Sequence, residues 1–264
     1  MNTNSNTYTV IYSIGLVVVV AAVLAFVAKF LQPMQDANVK KDTISQILTA
    51  ADIKFTDDNV LEVYKENIEK AILVNTNGDV LETALDIKSC EIYTNSKLKE
   101  QTVAADADKM LPVYIFKNGI TVVPCYGAGL WGPVWGYIGL EEDLKTIKVA
   151  CFGHKGETPG LGAKITDEPA VFADKFVGKV VGEGEVKFTV KKGADINGAS
   201  EVNAISGATI TSAAVGTMVN TWFGFYQNYF IKNAVSAQEQ VETNDDVVTE
   251  ETVAVEDVVI EPAN

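Results

Sequence analysis

Residues 10–28, VIYSIGLVVVVAAVLAFVA, form an apolar run without a charged side chain, and none occurs upstream of it. At helical rise the run spans about 28 Å, close to the hydrocarbon thickness of a bilayer. It predicts a membrane-spanning helix, with Tyr8, Tyr12 and Phe30 placed as interface residues. A cleaved signal peptide is the alternative. Against it, no Lys precedes the run, and only Val23-Leu24-Ala25 resembles a cleavage site.

After Pro33 the pattern changes. Val39, Ile44, Ile47 and Leu48 recur at helical spacing over 33–50. A second helix is expected from Asp57 or Asp58, as N-cap, to about Ile72, with Val60, Val63, Ile68 and Ile72 on its apolar face. ILVNTNGDVLE reads as a strand, an Asn-Gly turn and a second strand. LPVYIFKNGITVVPCYG repeats the device around Asn118-Gly119. Further strands are expected at WGYIGLE, IKVACFG and EVKFTV. A last helix opens after Gly207 and carries Ala213, Val215, Met218, Val219, Trp222 and Phe223 to about Phe230. Hairpins mixed with helices, without βαβ alternation, predict an α+β fold. The expected organisation is a stub and transmembrane helix over 1–31, one mixed α+β domain over 32–233, and a disordered acidic tail over 234–264.

Charge sharpens the picture. Of a formal net charge of −14 over 264 residues, nine acids lie in 236–264 without a single Lys, leaving −5 for the remainder. There is no basic footprint for nucleic acid. All 21 cations are Lys. Any phosphate must therefore be held by Lys or by backbone amides, not by an Arg fork. One His and three Cys exclude most protein-built zinc sites and a four-cysteine iron–sulfur cluster. Cys90, Cys125 and Cys151 show no C-x-x-C spacing and are expected as free thiols.

Three small-residue segments carry candidate chemistry. Gly127–Gly136, GAGLWGPVWG, permits close backbone approach and offers two Trp to shield a planar ligand; a core turn is the plain alternative. Gly153–Gly162, GHKGETPGLG, contains a Pro159-Gly160 pair suited to a type II turn, with a surface loop as the alternative. Its lone His154 has no partner by spacing. Ser206–Ser212, SGATITS, precedes the last helix; free amides there suit an anion, and an ordinary Ser/Thr cap is the alternative.

In this order, after one N-terminal span, these segments resemble the C subunit of the bacterial sodium-translocating NADH:quinone oxidoreductase. The resemblance runs from about residue 10 to 232 and includes LQPMQDANVKKDTISQIL, GAGLWGPVWGYIGL, GETPGLGAKI, VGK near 177–179 and SGATITS. It implies a covalent FMN, its phosphate esterified to Thr209 within Ser206-Gly207-Ala208-Thr209 by a flavin transferase. Thr211 belongs to the same site. The family pattern has an acid three positions before the Ser, where this chain has Asn203. On this reading Lys191, or secondarily Lys192, supports the phosphate at the helix start. The isoalloxazine lies against the segment from Glu157, lined by Thr158, Leu161 and Gly162, with Leu130 or Trp131 as apolar cover. No general acid, base, nucleophile or metal ligand is assigned.

The resemblance further implies an electron-transfer role within a membrane complex that oxidises NADH, reduces quinone and exports sodium. It places the soluble domain on the outer face of the cytoplasmic membrane, although Lys29, Lys40 and Lys41 after the span lean the other way. This chain has no G-x-G-x-x-G of an NADH site. The G subunit of Rnf-type complexes shares the anchor and the flavinylation motif and remains a close alternative. A non-redox anchored interaction protein is a second.

Overall fold

The computed structural model describes residues 6–82, 84–180, 188–193 and 198–251, with side chains through 234. Two compact units are distinguished, Met1–Thr43 and Ile44–Asn264. The first is helical, part of α1 (Asn6–Ala50). The apolar run is helical as expected, and its large side chains, from Val10 to Phe30, are exposed. By length and composition α1 is long and apolar enough to cross a membrane. One difference from expectation is continuity: Pro33 lies inside α1 rather than separating two helices. Proline removes one N–H, the one that would reach the carbonyl four residues back, and here the helix tolerates that single loss.

The second unit is built on a five-stranded antiparallel sheet of order β1-β2-β3-β4-β5. The strands are β1 (Ile68–Val74), β2 (Leu111–Phe116), β3 (Thr121–Ala128), β4 (Pro133–Leu140) and β5 (Ile147–His154). The Asn118-Gly119 turn joins β2 to β3 as expected, with Gly119 at φ +82°. The long helix α5 (Thr209–Glu251) covers one face. Trp222 Nε1 donates to the Tyr126 carbonyl at 2.7 Å, and Tyr226 Oη donates to the Pro112 carbonyl at 2.8 Å. The last turns of α1 approach the other face. Trp135 Nε1 donates to Gln46 Oε1 at 2.8 Å, and Gly139 leaves no room for a Cβ against the Ala50 carbonyl. With both faces covered, β3 is buried from Thr121 to Cys125 instead of alternating. A short parallel pair, β6 (Thr189–Lys191) with β7 (Glu201–Asn203), lies beside α5, where Val190 packs on Gly216.

Two expectations are corrected here. The second helix, α2, is only Val60–Asn67, and its N-cap is Asn59, not Asp57 or Asp58. Ile68 turns to ψ 135° and opens β1 by pairing with Phe116. Residues 68–72 read equally well at both periods, and sheet pairing with burial of Ile68, Ala71, Leu73 and Val74 wins over local helical spacing. The Asn77-Gly78 turn does not lead into a second strand; only an isolated bridge, Val74 to Val80, forms. Instead β1 takes β2 as its neighbour, and the turn docks on α5. Asn228 Nδ2 donates to the Thr76 carbonyl at 2.8 Å, and Lys232 Nζ lies 2.6 Å from Asp79 Oδ1.

That docking fixes the residue at 78. Its φ is +81°, and a Cβ would sit 2.6 Å from the backbone of Asn228 and Tyr229. Gly78→Ala is expected to destabilise the domain by about 1–3 kcal/mol in urea unfolding.

The remaining helices are short: α3 (Asn95–Val103) and α4 (Lys164–Asp167), the latter followed by 3-10 turns over 169–171 and 173–176. Those turns bring Phe172 and Phe176 onto Phe152. From there ring contacts with centroids 5.2–6.1 Å apart run through Phe188 and Phe223 to Phe230, tying β5 to α5. Of the strand expected at EVKFTV, Thr189 and Val190 lie in β6, while 185–187 fall outside the described residues. The helix expected to end near Phe230 continues in backbone to Glu251, because no Gly or Pro interrupts 231–251. Residues 252–264 of the expected tail lie outside the described residues.

Candidate functional site

The three small-residue segments come together. The first is the β3–β4 connection, closed by the Gly129 N–H donating to the Gly132 carbonyl at 2.8 Å. The second leaves β5 at His154, whose Nδ1 accepts the Glu157 N–H at 3.2 Å. A turn follows, with the Leu161 N–H on the Thr158 carbonyl (3.1 Å) and Gly160 at φ +75°, the type II geometry expected from Pro159-Gly160. The third is the start of α5. Leu161 bridges the second and third segments, since a Cβ on Gly207 would lie 3.0 Å from its Cδ2.

Glu157 joins all three. Its side chain is buried. Oε2 accepts the Thr211 hydroxyl at 2.6 Å, and Oε1 accepts the Trp131 N–H at 3.0 Å. The Leu130 N–H is a further donor. Burial alone would raise its pKa, but these donors outweigh it and hold the carboxyl below its ordinary value of 4.5. A group depressed on folding stabilises the native state above its unfolded pKa, and that stability is lost as pH falls through the lower folded value. Acid unfolding below the ordinary glutamate range is therefore expected to be steeper for the native chain than for Glu157→Gln, read from melting temperature against pH.

The start of α5 lacks a side-chain cap. Its first intrahelical bond runs from the Ser212 N–H to the Ala208 carbonyl at 2.9 Å, so Ala208 occupies the cap position. The ordinary Ser/Thr-cap reading therefore does not hold. The amides of Thr209, Ile210 and Thr211 precede the first helical donor and find no acceptor among the described residues. The four hydroxyls of SGATITS divide clearly. Ser212 is fully buried; its Oγ donates to the Ala208 carbonyl and accepts the Ile205 N–H. Thr211 is buried and committed to Glu157. Ser206 and Thr209 are exposed. Of these, only Thr209 stands on the helix. Around it, Leu130, Trp131, Leu161 and Ile210 are 45, 69, 43 and 63% exposed, a run of bare apolar side chains on the convergent segments. Thr158 is exposed beside them, and Gly162 is buried, with no room for a Cβ between Glu157 and Thr211.

Lys191 sits on β6 with its ammonium 3.6 Å from Glu201. Asn203, at the position of the family's acid, accepts the Gly193 N–H on Oδ1 at 2.9 Å and so holds the turn after Lys192. Cys90, Cys125 and Cys151 are free thiols, and burial pushes those of Cys125 and Cys151 upward. No group of three or more His, Cys, Asp or Glu suited to a metal occurs among the described residues.

An FMN-binding domain model matches residues 129–224, which contain the second and third segments and the first from Gly129 onward. The C subunit of the Na(+)-translocating NADH-quinone reductase of Haemophilus ducreyi is 30% identical over 237 residues, covering 83% of this chain and 90% of that protein. The crystal structure of the corresponding C subunit from Parabacteroides distasonis superposes with a TM-score of 0.63 at 34% identity, covering 76% of this chain and 96% of that one. The chain belongs to the C-subunit family of the Na(+)-translocating NADH-quinone reductases. Shewanella oneidensis NqrC shares the fold as well, with a TM-score of 0.62 and 25% identity over 75% of this chain. Membership in the C-subunit family favours the sodium-translocating enzyme over the Rnf-type alternative.

Sequence reasoning placed Glu157 along the flavin-facing segment but did not find its role as the tie between segments. The available signal was a lone acid within the glycine-rich 153–162 segment, where a buried carboxylate must gather donors from elsewhere.

Proposed function

We propose that this chain is the flavin-bearing, membrane-anchored C subunit of a sodium-translocating NADH:quinone oxidoreductase, holding FMN through a phosphodiester on Thr209. The observation that carries the attachment site is the exposed Thr209 hydroxyl on an uncapped helix start inside the matched FMN-binding domain. A phosphodiester keeps one negative charge, which three unpaired amides and the positive end of α5 favour. Lys191 adds a cation from β6. The bare apolar side chains fit an aromatic ring system, with Thr158, Leu161 and Gly162 lining it and Leu130 or Trp131 restricting water. FMN supplies reversible uptake of electrons one or two at a time. The protein's part is to fix the position of that group and to tune its surroundings.

In this reading residues 1–31 anchor the chain in the bilayer, 32–233 form the flavin domain on the outer face of the cytoplasmic membrane, and 234–264 form an acidic tail. Electrons pass between this domain and other subunits of the complex, NADH being bound elsewhere, and a flavin transferase installs the FMN. Intact mass and peptide mapping of the membrane-expressed chain test the proposal. One FMN less a water, localised to a peptide spanning 203–215, is expected. An ester on Ser206 or Thr211 would overturn the site, and a chain of unmodified mass from its native host would overturn the function.

A further inference from the structure

The glycines of the first two segments do something that flavin binding alone does not require. A Cβ on Gly129 would lie 2.5 Å from Glu157 Oε1, and a Cβ on Gly162 would lie 2.6 Å from Oε2. Both glycines therefore leave space for a carboxylate. That carboxylate gathers three donors from two distant places, the Leu130 and Trp131 amides on the β3–β4 connection and the Thr211 hydroxyl in the first turn of α5. No backbone bond joins those two places among the described residues. Trp131 is 69% and Leu130 45% exposed, so apolar packing holds the connection only in part.

We propose that Glu157 is a positioning residue. Its carboxylate ties the Leu130–Trp131 connection to the first turn of α5, and it keeps a fixed negative charge beside the flavin site. The inference rests on the FMN reading above and deepens it. Charge matters as well as shape because Thr211, which holds the carboxylate, shares the first turn of α5 with Thr209. A buried negative charge there opposes the added electron of a reduced flavin and so lowers its potential. Gln at 157 preserves the shape, since an amide can accept the Trp131 N–H and donate to the Thr211 oxygen, while the charge disappears. Ala removes the tie altogether.

The test uses the full chain in membranes or detergent, with and without co-expressed flavin transferase. In the flavin-free chain, Glu157→Ala is expected to speed amide exchange at Leu130 and Trp131 about tenfold, the loss of one charge-assisted hydrogen bond, with Val122 and Val123 in β3 unchanged. Thr211→Val should move the same two amides less, and Thr211→Ser should restore them. In the flavin-loaded chain, Glu157→Gln is expected to shift the flavin midpoint potential upward while leaving those amides protected. Native exchange at Leu130 and Trp131 in a folded Glu157→Ala would overturn the tie. If that variant does not fold, native exchange in Thr211→Val overturns it. An unmoved potential in flavin-loaded Glu157→Gln would overturn the charge role. A native chain that carries no flavin instead defeats the FMN reading, and the exchange measurement still decides the tie.

Discussion

Thr209→Ala should give a folded, membrane-bound chain with no covalent flavin and no electron transfer through the complex that contains it. The expectation of complete loss follows from the neighbouring hydroxyls. Thr211 and Ser212 are buried at 1% and 0% exposure and already hydrogen-bonded, so a transferase has no second exposed hydroxyl in the first turn of the helix to use. Ser206 is exposed, but it precedes the left-handed Gly207 and lies off the helix start. The stability of the flavin-free chain should barely change. The Thr209 hydroxyl makes no hydrogen bond among the described residues, and Ala is the better helix former, so a change within about 0.5 kcal/mol is expected. In-gel flavin fluorescence under denaturing conditions reads the first effect and thermal unfolding the second. A fluorescent band from Thr209→Ala would reassign the ester.

The largest loss of stability is expected at Trp222. Its side chain is fully buried in the middle of α5 against the sheet, its ring 5.9 Å from Phe225 and 6.2 Å from Tyr226, and its Nε1 holds the Tyr126 carbonyl. Trp222→Ala removes the ring, opens a cavity and leaves that carbonyl unpaired, costing about 3–5 kcal/mol in all. Against a typical total of about 5–15 kcal/mol this is a severe defect. Urea unfolding should show a lower midpoint with unchanged slope. Trp222→Phe keeps most of the volume and should lose far less. Because α5 carries Thr209, flavin incorporation in Trp222→Ala should fall with the folded fraction, whereas Thr209→Ala should abolish it in a stable domain. The contrast separates loss of the attachment group from loss of the scaffold.

The acid-labile contribution of Glu157 belongs between these extremes. It acts without any ring or hydroxyl of its own touching the core. A single carboxylate connects residues 26 and 54 positions away in the chain. Its neighbours Gly129 and Gly162 resemble ligand-approach glycines in the sequence, yet their lack of a Cβ serves the carboxylate first.

The linear pattern by itself determined a good deal. An uncharged apolar run over 10–28 is long enough for a membrane-crossing helix, and Asn118-Gly119 between β-forming segments marks a hairpin, because both rest on local backbone chemistry. SGATITS before a helical pattern likewise brought hydroxyls and free amides together within one turn. Tertiary structure alone decided three other matters. Residues 68–72 joined a sheet because Phe116 to Val113 offered them partners and burial. Asn77-Gly78 became a dock for α5 because β1 had already paired with β2. Which hydroxyl of the first turn of α5 stays exposed was settled by Glu157 and Ala208, which engage Thr211 and Ser212 and leave Thr209 free of them. Spacing along the chain specifies short-range geometry, but which donor meets which acceptor across distant segments is settled only when packing brings them within bonding distance.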